Sequence, residues 1–250
     1  MIEIIGLEGL PIIKEEDDLA QLICSIAEKR GISVKDGDAI VITHVVVSRA
    51  EGNLLDLDKI EPSEFAKSLG QRLNKDPALI EVILRQSKSI VRMGNGNIIT
   101  ETKHGFVCAN AGVDRSNVPG ERNVVLLPAN PDLSARRIRK KIRKITGRDV
   151  AVIISDTNGR PLRDGQINVA IGVAGIEPIR SRIGEKDLFG YVLKVKRIAI
   201  ADELASAAEL VIGQADEGVP AAIIRGYVYP KSQKARANKL IMPKEKDLFI

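Results

Sequence analysis

Residues 38–52 read DAIVITHVVVSRAEG. From Ile40 to Val47 nearly every side chain is β-branched, with no alternation of polar and apolar positions, which is the pattern of a strand buried on both faces. The run therefore predicts a buried strand that leaves into a loop near Arg49. A second run, VAVIIS at 150–155, has the same character. Around these strands the spacing turns helical. In DDLAQLICSIAEKR (17–30), Leu19, Leu22, Ile23 and Ile26 fall on one helical face, with acids ahead of them and Gly31 behind. Further helices are expected at 62–73 and at 77–88, the latter opened by Asp76-Pro77, where proline suits the first turn. Gly94-Asn95-Gly96-Asn97 marks a β-hairpin within 89–126. Ser134 is expected to cap a basic helix with the stripe Ile138, Ile142, Ile145, ending at Gly147. A strand at 193–200, a helix at 202–212 and a strand at 221–227 complete the reading. Helix and strand mix without a strict βαβ rhythm, so the fold class is α+β. Length allows one large domain or two small ones, and the chain is expected to be one module spanning 1–250 with two closely packed subdomains whose boundary the sequence does not mark.

Composition narrows the function. Hydrophobic residues at 44% with charged residues at 28% are ordinary globular usage. No apolar run reaches the roughly 18 residues of a membrane span, and MIEIIGLEGLPIIKEEDD lacks the basic start of a signal peptide. The chain is accordingly expected in the cytoplasm. Cys24 and Cys108 cannot form a CxxC pair or a zinc cluster. With four Phe, three Tyr and no Trp, an aromatic platform for single-stranded nucleic acid is not expected. The net charge of +5 is unevenly spread: SARRIRKKIRKITGR (134–148) holds eight cations and no acid, and without them the chain would stand at −3. Such a helix gains from an anion, whether a substrate, a partner subunit's acids or nucleic acid.

The common nucleotide motifs are absent: there is no GxxxxGK[ST], and Gly94-Asn95-Gly96 lacks the third glycine of the dinucleotide fingerprint. Only His44 and His104 exist, which disfavours a histidine-rich metal site. Three polar clusters remain, each following an apolar run: Asn110 to Asn117, Ser155 to Arg160 and Gly213 to Gly218. Their carboxylates, amides and hydroxyls are the hard oxygens that Mg²⁺ or Mn²⁺ takes, although Asp-X-Asn-Gly and Ala-Asp-Glu-Gly are also ordinary turns. Gly9-Leu10-Pro11 offers either a plain turn or a close backbone approach to a ligand. His44 reads first as a core histidine and second as a ligand. Arg49 reads as a phosphate clamp or a solvated cation.

Taken together, Thr43 to Gly52, Gly105 to Asp114, Asp156-Thr157-Asn158-Gly159-Arg160-Pro161, Gly165-Gln166, Val169 to Gly172, Ala201-Asp202-Glu203-Leu204 and Gly213 to Gly218 resemble the coenzyme F(420):L-glutamate ligase family, in its archaeal stand-alone form. The resemblance runs in order from Gly6 to Asp247-Leu248-Phe249. It implies a GTP-dependent ligase that joins L-glutamate to the lactyl carboxyl of F(420)-0, adds a second glutamate in γ-linkage and releases GDP and phosphate. It further implies two divalent ions, Mg²⁺ or Mn²⁺, help from K⁺, mixed and antiparallel sheets, an intertwined homodimer, and no membrane or nucleic-acid partner. By the same resemblance the metal ligands fall on Asp114, Asp156, Thr157 and Gln214. GTP contacts fall on Gly9, Leu10, Pro11 and Ile12, on Asn117, and on the segment from Gly213 that includes Asp216 and Glu217. His44-Val45 stands where many members have Ser-Lys or Gln-Lys, and Arg49 where they have Lys, which Arg49 can replace bidentately on phosphate. Such a ligase needs no nucleophilic Ser or Cys, because phosphoryl transfer is mostly positioning and electrostatics. Cys108 is then structural, and Glu217 and Asp216 are the carboxylates considered for a base. The runner-up is a basic nucleic-acid-binding protein using 134–148; another metal-dependent nucleotide hydrolase is the third reading.

Overall fold

The computed structural model describes residues 1–248, so the Phe249 end of the resemblance lies outside the described residues. The chain runs β1 (Glu3–Gly6), α1 (Leu19–Lys29), β2 (Ala39–Thr43), α2 (His44–Ala50), β3 (Leu54–Asp56), α3 (Glu64–Leu73), α4 (Pro77–Gln86), β4 (Ser87–Gly94), β5 (Asn97–Thr102), β6 (Val107–Ala109) and β7 (Asn123–Val125). It continues through α5 (Pro131–Thr146), β8 (Ala151–Arg160), β9 (Arg163–Ile176), β10 (Arg180–Ser181), β11 (Arg197–Ile198), α6 (Ile200–Ile212), β12 (Ala221–Arg225) and β13 (Lys231–Ser232). The α+β class holds, with mixed and antiparallel sheets.

The central sheet has the order β1-β12-β2-β8-β9-β13, antiparallel throughout except for the parallel pair β2 and β8. That pair explains the unalternated runs in the sequence. Ile40, Ile42, Val152 and Ile154 face α1 and α5, whereas Ala39, Val41, Ala151 and Ile153 face α6, so both faces are covered. A third apolar cluster gathers α3, α4, the β4–β5 hairpin and β7 around Ile80, Ile83, Ile98 and Val124. The Asn95-Gly96 turn sits where the hairpin was expected.

Three expectations need correction. The β-branched run at 38–52 is a strand only to Thr43; from His44 it becomes the short helix α2, where β2 has lost its β12 neighbour. The basic helix starts at Pro131, capped by Asn130, whose side chain accepts from the Leu133 N–H at 3.0 Å. Ser134 lies inside it, buried, and donates to Glu51. The strand expected at 193–200 shrinks to Arg197–Ile198, and β9 runs unforeseen through RDGQINVAIGVAGI.

Candidate active site

Because β2 and β8 are parallel neighbours in register, with Thr43 opposite Ser155, β2 ends at the level where β8 runs on into Asp156. This puts His44 and Asp156 side by side where the parallel pairing stops. A cleft of about 480 Å³ opens there. Leu10, Pro11 and Ile12 form one wall, and α2 contributes His44, Val45 and Arg49. Asp114, Ser116 and Asn117 close a second side, Gly213, Gln214 and Glu217 a third, and Asp156 and Thr157 lie with them in the same lining. Gly9 and Asp216 adjoin lining residues but stand outside the lining itself. No residue of α5 reaches the cleft, so the basic helix is not counter-charge for a ligand bound there.

Asp114 is delivered by a strained turn. Asn110, Ala111 and Gly112 have φ of 54°, 56° and 69°, three left-handed residues in succession, which for Ala costs on the order of 1–2 kcal/mol. Gly112 is obligatory, since a Cβ would stand 2.7 Å from Leu127. Beyond the turn, Asp114 bridges backbone to backbone with Val125, and its carboxylate accepts from the Ser116 N–H (2.8 Å) and hydroxyl (2.7 Å).

Asp156 and Thr157 lie within β8, which extends to Arg160; the turn expected after residue 155 comes later. The Asp156 carboxylate accepts from the Thr157 N–H at 2.7 Å and meets His44 Nε2 at 3.2 Å. Burial pulls His44 down, but the Asp156 charge and hydrogen bond, with Asp114 adding, outweigh it and the net effect is upward. His44 is thus buried against a carboxylate, a positioning partner of Asp156. Across the ladder Thr157 faces Asn168, and its hydroxyl lies 2.8 Å from Gln214 Oε1 and 3.1 Å from Asn168 Oδ1. Sequence reading missed Asn168, whose signal was a lone amide in an apolar run, INVAIGV, now 2% exposed.

The cation of the site is Arg49. Among the described residues it makes no ion pair and its buried Nε has no partner; its Nη1 donates to the Asn117 carbonyl at 3.3 Å. Burial pushes the guanidinium down from its ordinary value, with Asp17 opposing. An unpaired, partly buried guanidinium gains by meeting an anion. Glu217 is engaged otherwise: the backbone N–H groups of its own turn, including Ala215 at 2.8 Å, hold its carboxyl below the usual range, which makes it a poor base. Gly213, with φ of 73°, has the Glu217 carboxylate where a Cβ would stand. Cys108 is pushed up to about 12 by burial, and the charge of Asp156 adds to this, so it stays a thiol.

Among the described residues no three His, Cys, Asp or Glu side chains gather around a common point. The lining does offer oxygens from the carboxylates of Asp114 and Asp156, the hydroxyl of Thr157 and the amide of Gln214, besides the engaged Glu217, and these are the donor chemistry of a hard divalent cation that keeps water or phosphate in its shell. The buried Ser155 hydroxyl, also in the cleft, lacks a partner among the described residues. Hard oxygen donors beside the Arg49 guanidinium, where a parallel strand pairing stops, define a mixed α/β class of site whose chemistry suits a phosphorylated ligand with a divalent ion. The family model F(420)-0:Gamma-glutamyl ligase matches residues 9–226, and the chain belongs to that family. It is 51% identical over 249 residues to the coenzyme F(420):L-glutamate ligase of Methanothermobacter thermautotrophicus, covering 99% of this chain and 98% of the relative. The namesake of Methanocaldococcus jannaschii is 51% identical (99% and 96% covered), and that of Methanopyrus kandleri 49% (97% and 96%). No helix among the described residues is long and apolar enough to cross a membrane.

Proposed function

We propose that the protein is a GTP-dependent ligase joining L-glutamate to the lactyl carboxyl of coenzyme F(420)-0 and then adding glutamate in γ-linkage. The observation that carries this reading is the convergence of Asp114, Asp156, Thr157 and Gln214 with the unpaired Arg49 in one cleft. A carboxylate is a poor electrophile, so the γ-phosphoryl group of GTP passes first to a carboxylate oxygen; the bond to the β-phosphate breaks, and GDP leaves with an acyl phosphate formed. The glutamate amine then bonds to the carbonyl carbon, the carbon–phosphate oxygen bond breaks, and phosphate departs as the amine loses a proton.

The chain's part is placement. Arg49 receives phosphate oxygens, His44 holds Asp156 in one orientation, and Leu10, Pro11 and Ile12 wall the nucleotide from water. Asp114, Asp156, Thr157 and Gln214 are the residues that would hold divalent ions, two Mg²⁺ or Mn²⁺, with K⁺ assisting. When bound, such ions supply charge neutralisation between nucleotide and carboxylate. A homodimer belongs to the same proposal: between β10 and β11 the chain exposes Leu188, Phe189 and Val195 at 98%, 97% and 85%, an apolar arm that a second copy would cover. The test is incubation with GTP, Mn²⁺, L-glutamate and F(420)-0, followed by mass spectrometry. A mass increment of one or more glutamates is expected; GTP hydrolysis without one overturns the proposal.

A further inference from the structure

Glu209 stands in the last turn of α6, where the helix dipole is unfavourable to a carboxylate and no basic residue compensates it. Both its oxygens are in use. Oε2 accepts from the Asn168 N–H at 2.8 Å, which covers the part of the β9 edge that β13 does not pair. Ser206 and Asp202, one and two turns earlier on the same face, bind the same edge: the Ser206 hydroxyl donates to the Asn168 carbonyl and the Asp202 carboxylate accepts from the Ala170 N–H. The contact of Oε1 is different in kind: it accepts from Gln214 Nε2 at 2.5 Å, a side chain beyond the helix end that lines the cleft.

An amide carries an acceptor on one side and donors on the other, whereas a carboxylate offers acceptors only. Glu209 therefore keeps the Gln214 NH₂ toward itself and the oxygen toward Thr157, at 2.8 Å from its hydroxyl. Turned over, the Gln214 oxygen would face the Glu209 carboxylate, acceptor against acceptor. Asn168 Oδ1 also accepts from Gln214 Nε2, at 3.1 Å, but Asn168 is itself an amide and can turn with it. We propose that Glu209 is a positioning residue that fixes the amide of Gln214, so that its oxygen is presented beside Thr157 to a divalent cation. This rests on the metal role proposed above for Thr157 and Gln214.

The experiment is titration of the nucleotide-free full chain with Mn²⁺, followed by electron paramagnetic resonance, for the wild type, Asp156→Ala, Glu209→Gln and Glu209→Asp, with melting temperatures alongside. The Gln214 side-chain NH₂ signal, identified by its loss in Gln214→Ala, is read by NMR. Glu209→Gln is expected to weaken Mn²⁺ about tenfold, the usual scale for a residue behind a ligand, and to shift or split the NH₂ signal. Glu209→Asp, still acceptor-only, is expected to bind more tightly than Glu209→Gln. Wild-type affinity and an unmoved signal in Glu209→Gln overturn the inference while Asp156→Ala still weakens binding. If Asp156→Ala binds as the wild type does, or the wild type binds no Mn²⁺, the metal reading itself falls, and this inference with it.

Discussion

The cleft and the basic face of α5 carry charges of opposite sign and opposite organisation. In the cleft a few charges converge from distant segments: Arg49, Asp114, Asp156 and Glu217 all border one volume. On α5 many charges come from one segment and diverge. Arg139 binds Asp149, Lys141 binds Asp18 and Arg148, just past the helix, binds Asp36, while Arg136, Arg137, Lys140, Arg143 and Lys144 are exposed without an ion pair among the described residues. Local charge density is what a sequence displays most loudly. Convergence, the property that makes a site, depends on which strands end together.

The largest effect should come from the convergent region. Asp156→Ala is expected to reduce glutamate incorporation more than tenfold with the melting temperature nearly unchanged, measured by mass spectrometry and calorimetry; more than a tenth of wild-type turnover would separate Asp156 from the chemistry. Arg49→Ala is expected to raise the KM for GTP by roughly tenfold, the scale of a lost charged hydrogen bond, with Arg49→Lys intermediate in steady-state kinetics. Smaller, and confined to stability, is the paired end of α5. The hydrogen bond from Lys231 holds the Asp149 carboxyl below its usual range, burial opposes this, and Arg139 adds to the lowering. Because the folded value is depressed, the stabilisation is present above the unfolded value near 3.8 and disappears as pH falls through the folded one. Melting curves of the wild type and Asp149→Asn should therefore differ at pH 6 and converge as the pH falls through the lowered folded value. Least of all should follow from Lys140→Glu with Arg143→Glu: these side chains lie outside the cleft, and at physiological salt, with a screening length of about 8 Å, the KM for GTP should stay within about twofold. A rise beyond that would return α5 to the active site.

The helices were legible wherever an apolar stripe met a capping residue, as at Leu19, Leu22 and Ile23 behind Asp18, or at Asp76-Pro77. The two buried parallel strands were legible because coverage on both faces removes polar positions. What escaped has physical reasons. His44 to Ala50 carries the side chains of a strand but folds as a helix, since β propensity reflects packing against sheet neighbours and the pairing with β12 stops at Ile42. β9 is laced with Gly165, Gln166, Asn168, Gly172 and Gly175; Gly172 is needed because a Cβ would stand 2.6 Å from the Pro131 backbone, where α5 rests on the strand. Of the site, the polar clusters were visible as candidates, and it took the fold to bring Asp114, Asp156 and Gln214 to one lining. Glu209 and Asn168 gave no comparable signal, for their roles arise only when the end of α6 meets the edge of β9.

The position of β12 between β1 and β2 has a consequence for the order of events in the cell. Synthesis proceeds from the N-terminus, yet among the described residues β1 pairs only with β12, formed by Ala221–Arg225, and the Thr43 N–H bonds the carbonyl of Pro220. The segment from residue 9 to residue 12, anchored just after β1, thus has no sheet to hang from until nearly the whole chain has left the ribosome. Such late, long-range closure is slow compared with helix formation. The ligand cleft is accordingly among the last parts of the molecule to exist, and an interrupted chain ending before residue 220 would carry Arg49, Asp114 and Asp156 without the wall that turns them into a pocket.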